Sequence, residues 1–347
     1  MANTPPSRHR IHVTMDDVAR TTNLSRATVS RALSGNPNVS PETQAKVRRA
    51  IKELGYIPNR AAQSLASERQ RNIPTVGLLL RTPEIPAYAK LHTELNRQTD
   101  DMGMQMITAI PTISGNRVDE PGTIKHLLRT GVNAIYLATG TIDPAEIERS
   151  LDTVPMITVG RPELHDAVSS VSHDEDVNGR IIAEAVINHG HTHIGVAVTD
   201  PHVSVPEHHR SQSITRYLRG SGATVHEVPI LPSAHQMESI NHMFHLCREN
   251  KITAAMFPSD HRALAFMSLC MTAGVSIPRD ISVTGIDAIS PELKYLGLSS
   301  VRIAIEAVAS RAAALMQQRL TYPQTPVQHE AFPGVLADGR TLGAPAF

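Results

Sequence analysis

Residues 14–35 read Thr14-Met15-Asp16-Asp17-Val18-Ala19-Arg20-Thr21-Thr22-Asn23-Leu24-Ser25-Arg26-Ala27-Thr28-Val29-Ser30-Arg31-Ala32-Leu33-Ser34-Gly35. The pattern predicts two short helices joined by a tight turn. Thr14 can cap the first helix, and Asp17 three residues later can complete a capping box. Asn23-Leu24 makes the turn, and Ser25 caps the second helix. Val29 and Leu33, at i and i+4, face inward and leave Arg26, Ala27, Ser30 and Arg31 outside. Gly35 stops this helix. Ser40-Pro41 opens a third, with proline at the first helical position, where its missing N–H costs nothing. Val47, Ile51 and Leu54 form its inner stripe. A paired-helix unit of this kind commonly places its second helix in the major groove of DNA.

The plainer alternative is a three-helix bundle with a solvated charged face, and the charge distribution argues against it. The chain carries 33 Lys+Arg and 33 Asp+Glu. Residues 1–71 hold 12 of the basic and 5 of the acidic residues, so the rest of the chain holds 21 basic and 28 acidic. A basic head on an acidic body suits phosphate binding, with an affinity that falls steeply with salt.

At 347 residues and 41% hydrophobic composition, two or three domains with sizeable cores are expected. Two cysteines, Cys247 and Cys270, do not make a disulfide framework and fit a reducing compartment. The polar, basic stretch 1–14 is not a signal peptide, and no run reaches the ~18–20 apolar residues of a membrane span. The expectation is a soluble, cytoplasmic protein with no membrane partner.

From Thr75 onward the period changes. Apolar runs at Val76–Leu80, Met106–Ile110, Ala134–Ala138, Met156–Val159, Ile194–Val198, Ala254–Phe257 and Ile281–Ile286 alternate with helical stretches. Those stretches are Tyr88–Met102, Asp176–His189, His208–Leu218, His235–Asn250 and Arg262–Ala273. This alternation predicts parallel sheets covered on both faces. The length calls for two sequential α/β lobes, with strand ends that can face each other across a ligand cleft.

No dinucleotide fingerprint, P-loop or nucleophile elbow is present. The densest histidine cluster is His189, His191 and His193, and His191 with His193 would offer an i, i+2 ligand pair only if a strand began that early. His191 reads better as closing a helix-to-strand turn, so no metal and no cofactor is expected. The cysteines read as small core hydrophobes.

The chain resembles the lactose/galactose repressor family of bacterial transcription regulators along nearly its whole length. In the head the matching runs are 13–19, 24–33, Asn38 to Thr43, and Leu54-Gly55-Tyr56-Ile57-Pro58-Asn59. The body matches more loosely at Asp174 through Gly179, Gly190-His191, Ser259-Asp260, Ile277-Pro278 and Ser282 through Asp287.

The resemblance implies a ligand-responsive regulator, in first place a repressor. It would bind a pseudo-palindromic double-stranded DNA operator as a homodimer, with a sugar, polyol or sugar phosphate as effector. It places Arg26 and Ala27 at the main base-reading positions, where Arg suits guanine and Ala leaves room for a thymine methyl. Thr14, Ser25, Thr28, Ser30 and Arg31 would contact phosphates or a further base, and Asn38 and Tyr56 would hold the backbone register. Residues 59–66 match the family's hinge helix. Asn59, Ala62 and Leu65 would meet the minor groove there, with Leu65 as a wedge. By composition alone the same segment reads as a linker. Arg210 and Asp287 match positions that clamp ligand hydroxyls. Tyr88, Arg161, Asp174, Ser259 and Asp260 are further effector candidates, each with a structural alternative.

The expected organisation is a helix-turn-helix domain at 1–58, hinge and linker at 59–74, and an effector-binding and dimerisation domain at 75–347 that resembles periplasmic sugar-binding proteins. Within the last, one lobe spans about 75–172 plus 303–322 and the other about 173–302 plus 323–347. The sequence departs from the family at Ser259, where Asn is usual, and at Asp338, where Arg is usual. It has no Trp for stacking on a sugar, and its tail carries no heptad repeat for a tetramer. A transport solute-binding protein and an α/β enzyme remain as competing classes. The basic head opposes the first, and the lack of a nucleophile–base constellation opposes the second.

Overall fold

The computed structural model describes residues 14–33, 36, 38–54, 73–81, 83–114, 117–139, 147, 153–163, 167–231 and 236–345. The chain divides into two compact units, Met1–Ile73 and Pro74–Phe347. Tyr56, Asn59, Ala62 and Leu65 lie outside the described residues.

Among its described residues the first unit holds α1 (Met15–Thr22), α2 (Arg26–Leu33) and α3 (Pro41–Leu54). The Asp17 carboxylate accepts from the Thr14 N–H at 2.9 Å and from the Thr14 hydroxyl at 2.6 Å, which fixes the start of α1. Asn23 ends it with φ 52°, a left-handed conformation that Asn tolerates. Ser25 Oγ accepts from the Thr28 N–H at 3.1 Å and starts α2. Val18, Val29, Ala32, Val39, Val47 and Ala50 form the core, with Leu24 and Leu33 packed against it. So small a core depends on each member, since a fully buried Val contributes roughly 1.5–3 kcal/mol.

The second unit contains two main sheets. The first, in the order β13-β7-β6-β5-β1-β2, joins β1 (Thr75–Leu80), β2 (Gln105–Ala109), β5 (Ala134–Ala138), β6 (Met156–Val159), β7 (Ser169–His173) and β13 (His329–Phe332), every neighbour pair parallel. Its helices are α4 (Pro86–Asp101), α5 (Glu120–Arg129) and α11 (Ile305–Thr321), and α11 packs on α4. The second sheet, β14-β12-β11-β10-β8-β9, joins β8 (His193–Thr199), β9 (Thr224–Ile230), β10 (Ala254–Met256), β11 (Ser282–Asp287), β12 (Ser299–Arg302) and β14 (Val335–Ala337). Its edge strand β14 runs antiparallel to β12. Helices α6 (Glu175–Asn188), α7 (Val205–Gly220), α8 (Gln236–Arg248), α9 (Asp260–Thr272) and α10 (Leu293–Leu296) belong to this lobe. A short hairpin, β3 (Ile113–Ser114) with β4 (Arg117–Val118), completes the described strands.

The apolar strands fall where the sequence predicts them, because parallel strands covered on both faces read as apolar runs. β7 escapes that reading. It is buried throughout yet reads Ser169-Ser170-Val171-Ser172-His173. Its hydroxyls are satisfied instead: Ser169 Oγ accepts from Arg319 Nη1 at 2.9 Å, and Ser170 Oγ meets His329 Nδ1 at 2.9 Å. Gly285 on β11 is demanded by contact, since a Cβ there would collide with the Asp260 side chain.

The chain passes between lobes after β7, after β12 and after β13. The third passage corrects the expected partition, which put all of 323–347 in the second lobe. β13 instead pairs with β7, and Glu330 receives Arg311 of α11 at 2.6–2.9 Å. Only from β14 does the tail lie on the second sheet.

Candidate DNA interface and effector cleft

Ser25, Arg26, Ala27 and Arg31 are exposed along α2, while Thr28 and Ser30 are half-buried. Arg26 Nε sits 3.8 Å from Asp16 Oδ1, with both side chains more than half exposed, so the pair is weak and easily exchanged. Arg31 Nε donates to the Ala27 carbonyl at 3.3 Å. The Ser25 and Thr28 hydroxyls are 2.8 Å apart and hold the helix start, and Thr14 is engaged with Asp17. Asn38 is exposed, its N–H donating to Asn36 Oδ1 at 3.0 Å. The first turn of α2 thus presents a guanidinium and a methyl on an uncovered surface, with hydroxyls fixed behind them.

In the second unit a cavity of about 300 Å³ lies between the lobes. The first lobe supplies Tyr88 and Leu91 from α4 and His173 from the end of β7. The second supplies Glu207 and Arg210 from α7, Ser259, His261 and Arg262 at the start of α9, and Asp287 from the end of β11.

Arg210 organises the floor. Its Nε and Nη2 donate to the two Glu175 oxygens at 2.7 and 2.9 Å, a bidentate pairing. Its Nη1 donates to Asp287 Oδ1 at 2.9 Å and to the Pro258 carbonyl at 3.0 Å. Burial opposes the charge on Arg210, yet Glu175 and Asp287 raise its pKa above the ordinary arginine value. Burial pushes Glu175 up, but Arg210 overrides it and holds the carboxyl below its usual range. Asp287 goes the other way: burial drives it up to about 8 against the pull of Arg210, with Asp260 and Glu207 adding repulsion. Glu175 takes two of the guanidinium's bonds, so Asp287 receives the smaller share. Its backbone is also unusual, with φ 142° followed by Ala288 at φ 46°, a strained pair at the cavity wall.

A second ion pair stands beside the first. Arg262 Nε donates to Glu207 Oε2 at 3.0 Å, and the Thr199 hydroxyl reaches the same oxygen at 3.1 Å. Burial pushes Glu207 up, but Arg262, His261 and Arg210 outweigh it and keep it low. Burial lowers His173 to about 4, lowers His261, and raises the Tyr88 hydroxyl to about 12. His173 Nδ1, Ser259 Oγ and His261 Nδ1 are buried without a hydrogen-bond partner, and all three residues line the cavity.

Of the residues predicted for the effector, Tyr88, Arg210, Ser259 and Asp287 line this cavity, and Arg161, Asp174 and Asp260 do not. Arg161 turns to the Pro162 carbonyl and Glu163 at 3.1 and 3.0 Å. Asp174 caps α6 through the Val177 N–H at 3.0 Å. Asp260 is spent on the Ala288 N–H at 2.6 Å and the Ser300 hydroxyl at 2.7 Å, and burial raises its pKa. Sequence reasoning missed His173, Glu207, His261 and Arg262. The one available signal was the i, i+3 placement of Glu207 and Arg210 on a single helix face.

The histidine cluster has another role. His191 is buried and reaches Thr253 Oγ1 at 2.8 Å, Ser282 Oγ at 3.0 Å and the Gly343 carbonyl at 2.8 Å. Among the described residues no group of three or more His, Cys, Asp or Glu is placed to hold a metal ion, and no helix is long and apolar enough to cross a membrane.

Comparison with known proteins fits this geometry. Residues 14–59 match the lacI family of bacterial regulatory proteins, and residues 183–342 match the periplasmic binding protein-like domain. The chain is 29% identical over 282 residues to catabolite control protein A of Priestia megaterium, covering 80% of this chain and 83% of that one. It is 26% identical over 344 residues to the transcriptional regulator MalR of Streptomyces coelicolor, covering 95% and 96% of the two chains. A solved complex of the transcriptional regulator CelR with cellobiose superposes with a TM-score of 0.66 at 26% identity, over 95% of this chain and 100% of that one. A lac repressor dimer bound to operator and an anti-inducer shares the fold with a TM-score of 0.78 at 22% identity, over 96% and 100%.

Proposed function

We propose that this chain, whose residues 14–59 match the lacI family of bacterial regulatory proteins, is a DNA-binding transcriptional regulator of that kind, a cytoplasmic repressor whose operator affinity is set by a sugar- or polyol-like effector. It binds a pseudo-palindromic operator as a homodimer. Arg26 and Ala27 read base edges, while Ser25, Thr28, Ser30, Arg31, Thr14, Asn38 and Tyr56 hold phosphates and register. Asn59, Ala62 and Leu65 engage the minor groove between half-sites. The effector occupies the cavity between the lobes and touches Tyr88, Arg210, Ser259 and Asp287.

The observation that carries this reading is the first turn of α2, where Arg26 and Ala27 stand uncovered while Val29 and Ala32 of the same helix are buried. The comparison proteins support the rest: CelR is described in complex with cellobiose and the lac repressor as a dimer on its operator. Selection of fragments from genomic DNA by the full-length chain, followed by gel-shift titration, tests it. The expected outcome is a two-fold-related sequence bound with an affinity that falls steeply between about 50 and 200 mM salt. Leu65→Ala weakens that complex and leaves effector affinity unchanged. Equal affinity for the selected and random duplexes would overturn the reading.

A further inference from the structure

Asp16 occupies an unexpected place for a unit that binds DNA. Residues 1–71 hold 5 acidic residues against 12 basic ones, and two of the five, Asp16 and Asp17, stand side by side in the first turn of α1. Asp17 is accounted for by the fold. It closes the capping box with Thr14 and takes Arg20 Nη2 at 3.2 Å. Asp16 does neither. It is exposed, and its side-chain partner among the described residues is Arg26, the first residue of α2. Whatever surface Arg26 meets, Asp16 meets beside it. A carboxylate there weakens the attraction to phosphates, which is a handicap in any DNA-binding unit.

The contact favours the inner side of the guanidinium. Asp16 Oδ1 comes nearest to Nε, at 3.8 Å, and neither Nη group of Arg26 makes a hydrogen bond among the described residues. A guanidinium carries five N–H donors in a planar fork, and guanine presents N7 and O6 side by side in the major groove. A carboxylate resting on the Nε edge leaves the outer Nη pair for the base. It also narrows the rotamer freedom that a free arginine gives up on binding. In water such a pair is weak, and it strengthens once a groove excludes solvent around it. The same carboxylate repels phosphates that compete for Arg26, so it penalises the wrong contact while favouring the right one.

We propose that Asp16 is a positioning residue for base reading: it buttresses the Arg26 guanidinium in the orientation that meets guanine, and so gives up non-specific phosphate affinity for sequence discrimination. The inference rests on the reading that Arg26 meets a base edge, and it adds the side chain that makes Arg26 selective. The plainer role for Asp16 is to complement the positive end of the α1 dipole. That role acts on helix stability and leaves base preference untouched.

The test uses the full-length chain on the duplex it selects from genomic DNA, on copies with each base pair replaced in turn, and on random duplex. The readout is the ratio of affinities for selected and random duplex, with the melting temperature followed in parallel. In Asp16→Asn this ratio is expected to fall at least tenfold, with random-duplex affinity raised and the guanine preference lost at the base pair that Arg26 reads. In an Arg26→Ala background the same change is expected to alter the ratio less than threefold, because no guanidinium is left to hold. A fall of less than tenfold in Asp16→Asn overturns the buttress. So does a further fall of threefold or more in the Arg26→Ala background, which would show Asp16 reading a base itself, such as a cytosine amino group. A loss spread evenly over all base pairs, with a lowered melting temperature, reduces Asp16 to helix support and overturns the proposal as well. If Arg26→Ala leaves every base preference in place, the base-reading assignment of Arg26 fails, an outcome distinct from any that Asp16→Asn alone can give.

Discussion

Arg26 and Arg210 carry the same side chain into opposite circumstances. Arg26 stands in solvent, held by one weak ion pair at 3.8 Å. Arg210 is buried, with four hydrogen bonds to Glu175, Asp287 and the Pro258 carbonyl. An exposed guanidinium contributes almost nothing to its own fold and is free to be exchanged for a DNA base. A buried one must be satisfied before any ligand arrives, and so becomes part of the fold as well as part of the site. With Arg26 proposed to read DNA and Arg210 proposed to meet the effector, the molecule would separate reading from sensing by burial as well as by domain.

The sharpest way to break this comparison is Arg210→Met. It leaves Glu175 and Asp287 buried beside no cation, a change that costs about 3–5 kcal/mol. Thermal unfolding of the effector domain should show a large drop, and an unchanged midpoint would mean that Arg210 is no more structural than Arg26. Next in size is a pH effect at the same cleft. Burial lowers the His173 pKa from 6.5 to about 4, so the folded state favours the neutral ring. Its stability contribution is present above pH 6.5 and is lost as pH falls through about 4, because the unfolded chain binds the proton more tightly. The loss reaches about 3 kcal/mol, since each pH unit across that window is worth ~1.36 kcal/mol. His173→Gln should flatten the decline of the melting temperature between pH 6.5 and 4, and parallel declines in parent and variant would count against it.

Arg26→Ala should cost about 1–3 kcal/mol on the selected operator and little on random duplex, with the melting temperature unchanged. Equal losses on both duplexes would reduce Arg26 to a phosphate contact. The smallest effect belongs to Arg216, whose 2.7 Å pair with Asp176 is two-thirds exposed on both sides. Arg216→Ala should shift stability by less than about 1 kcal/mol, despite a bond as short as the shortest of Arg210. A larger loss would show that distance, not burial, sets the worth of an ion pair here.

The head was legible because its determinants are local. Thr14 with Asp17 and Ser25 with Thr28 are capping partners three residues apart, and Val29 and Leu33 mark the inner face of α2, where the structure buries Val29 and Ala32 and packs a half-buried Leu33 against them. The alternating sheets were legible for a related reason, since doubly covered strands such as β5 are apolar throughout. The cleft was legible only in part. Glu175 and Arg210 are 35 residues apart, Glu207 and Arg262 are 55, and Arg210 and Asp287 are 77. No periodicity reports such pairings, and only resemblance singled out Arg210 and Asp287. Asp260 shows the converse error: an acidic residue at a helix start beside the cleft, spent on Ala288 and Ser300 instead of facing the cavity. β7 and β13 were missed because their hydroxyl, imidazole and carboxylate groups make them look like loop while hydrogen bonds hold them in the sheet.

The three passages between lobes have a mechanical consequence. They run side by side: His173 pairs with Phe332, Arg302 pairs with Val335, the Asp174 N–H donates to the Phe332 carbonyl at 2.9 Å, and Gly334 donates to Asn178 Oδ1 at 2.7 Å. A Cβ at Gly334 would press on the Arg302 carbonyl at 2.5 Å, so even the spacing between these straps is set by contact. Short adjacent straps forbid the lobes to slide or part and leave rotation as the soft coordinate. Any molecule that fills the cavity therefore acts on a single angle, as a wedge in a door acts on its hinge.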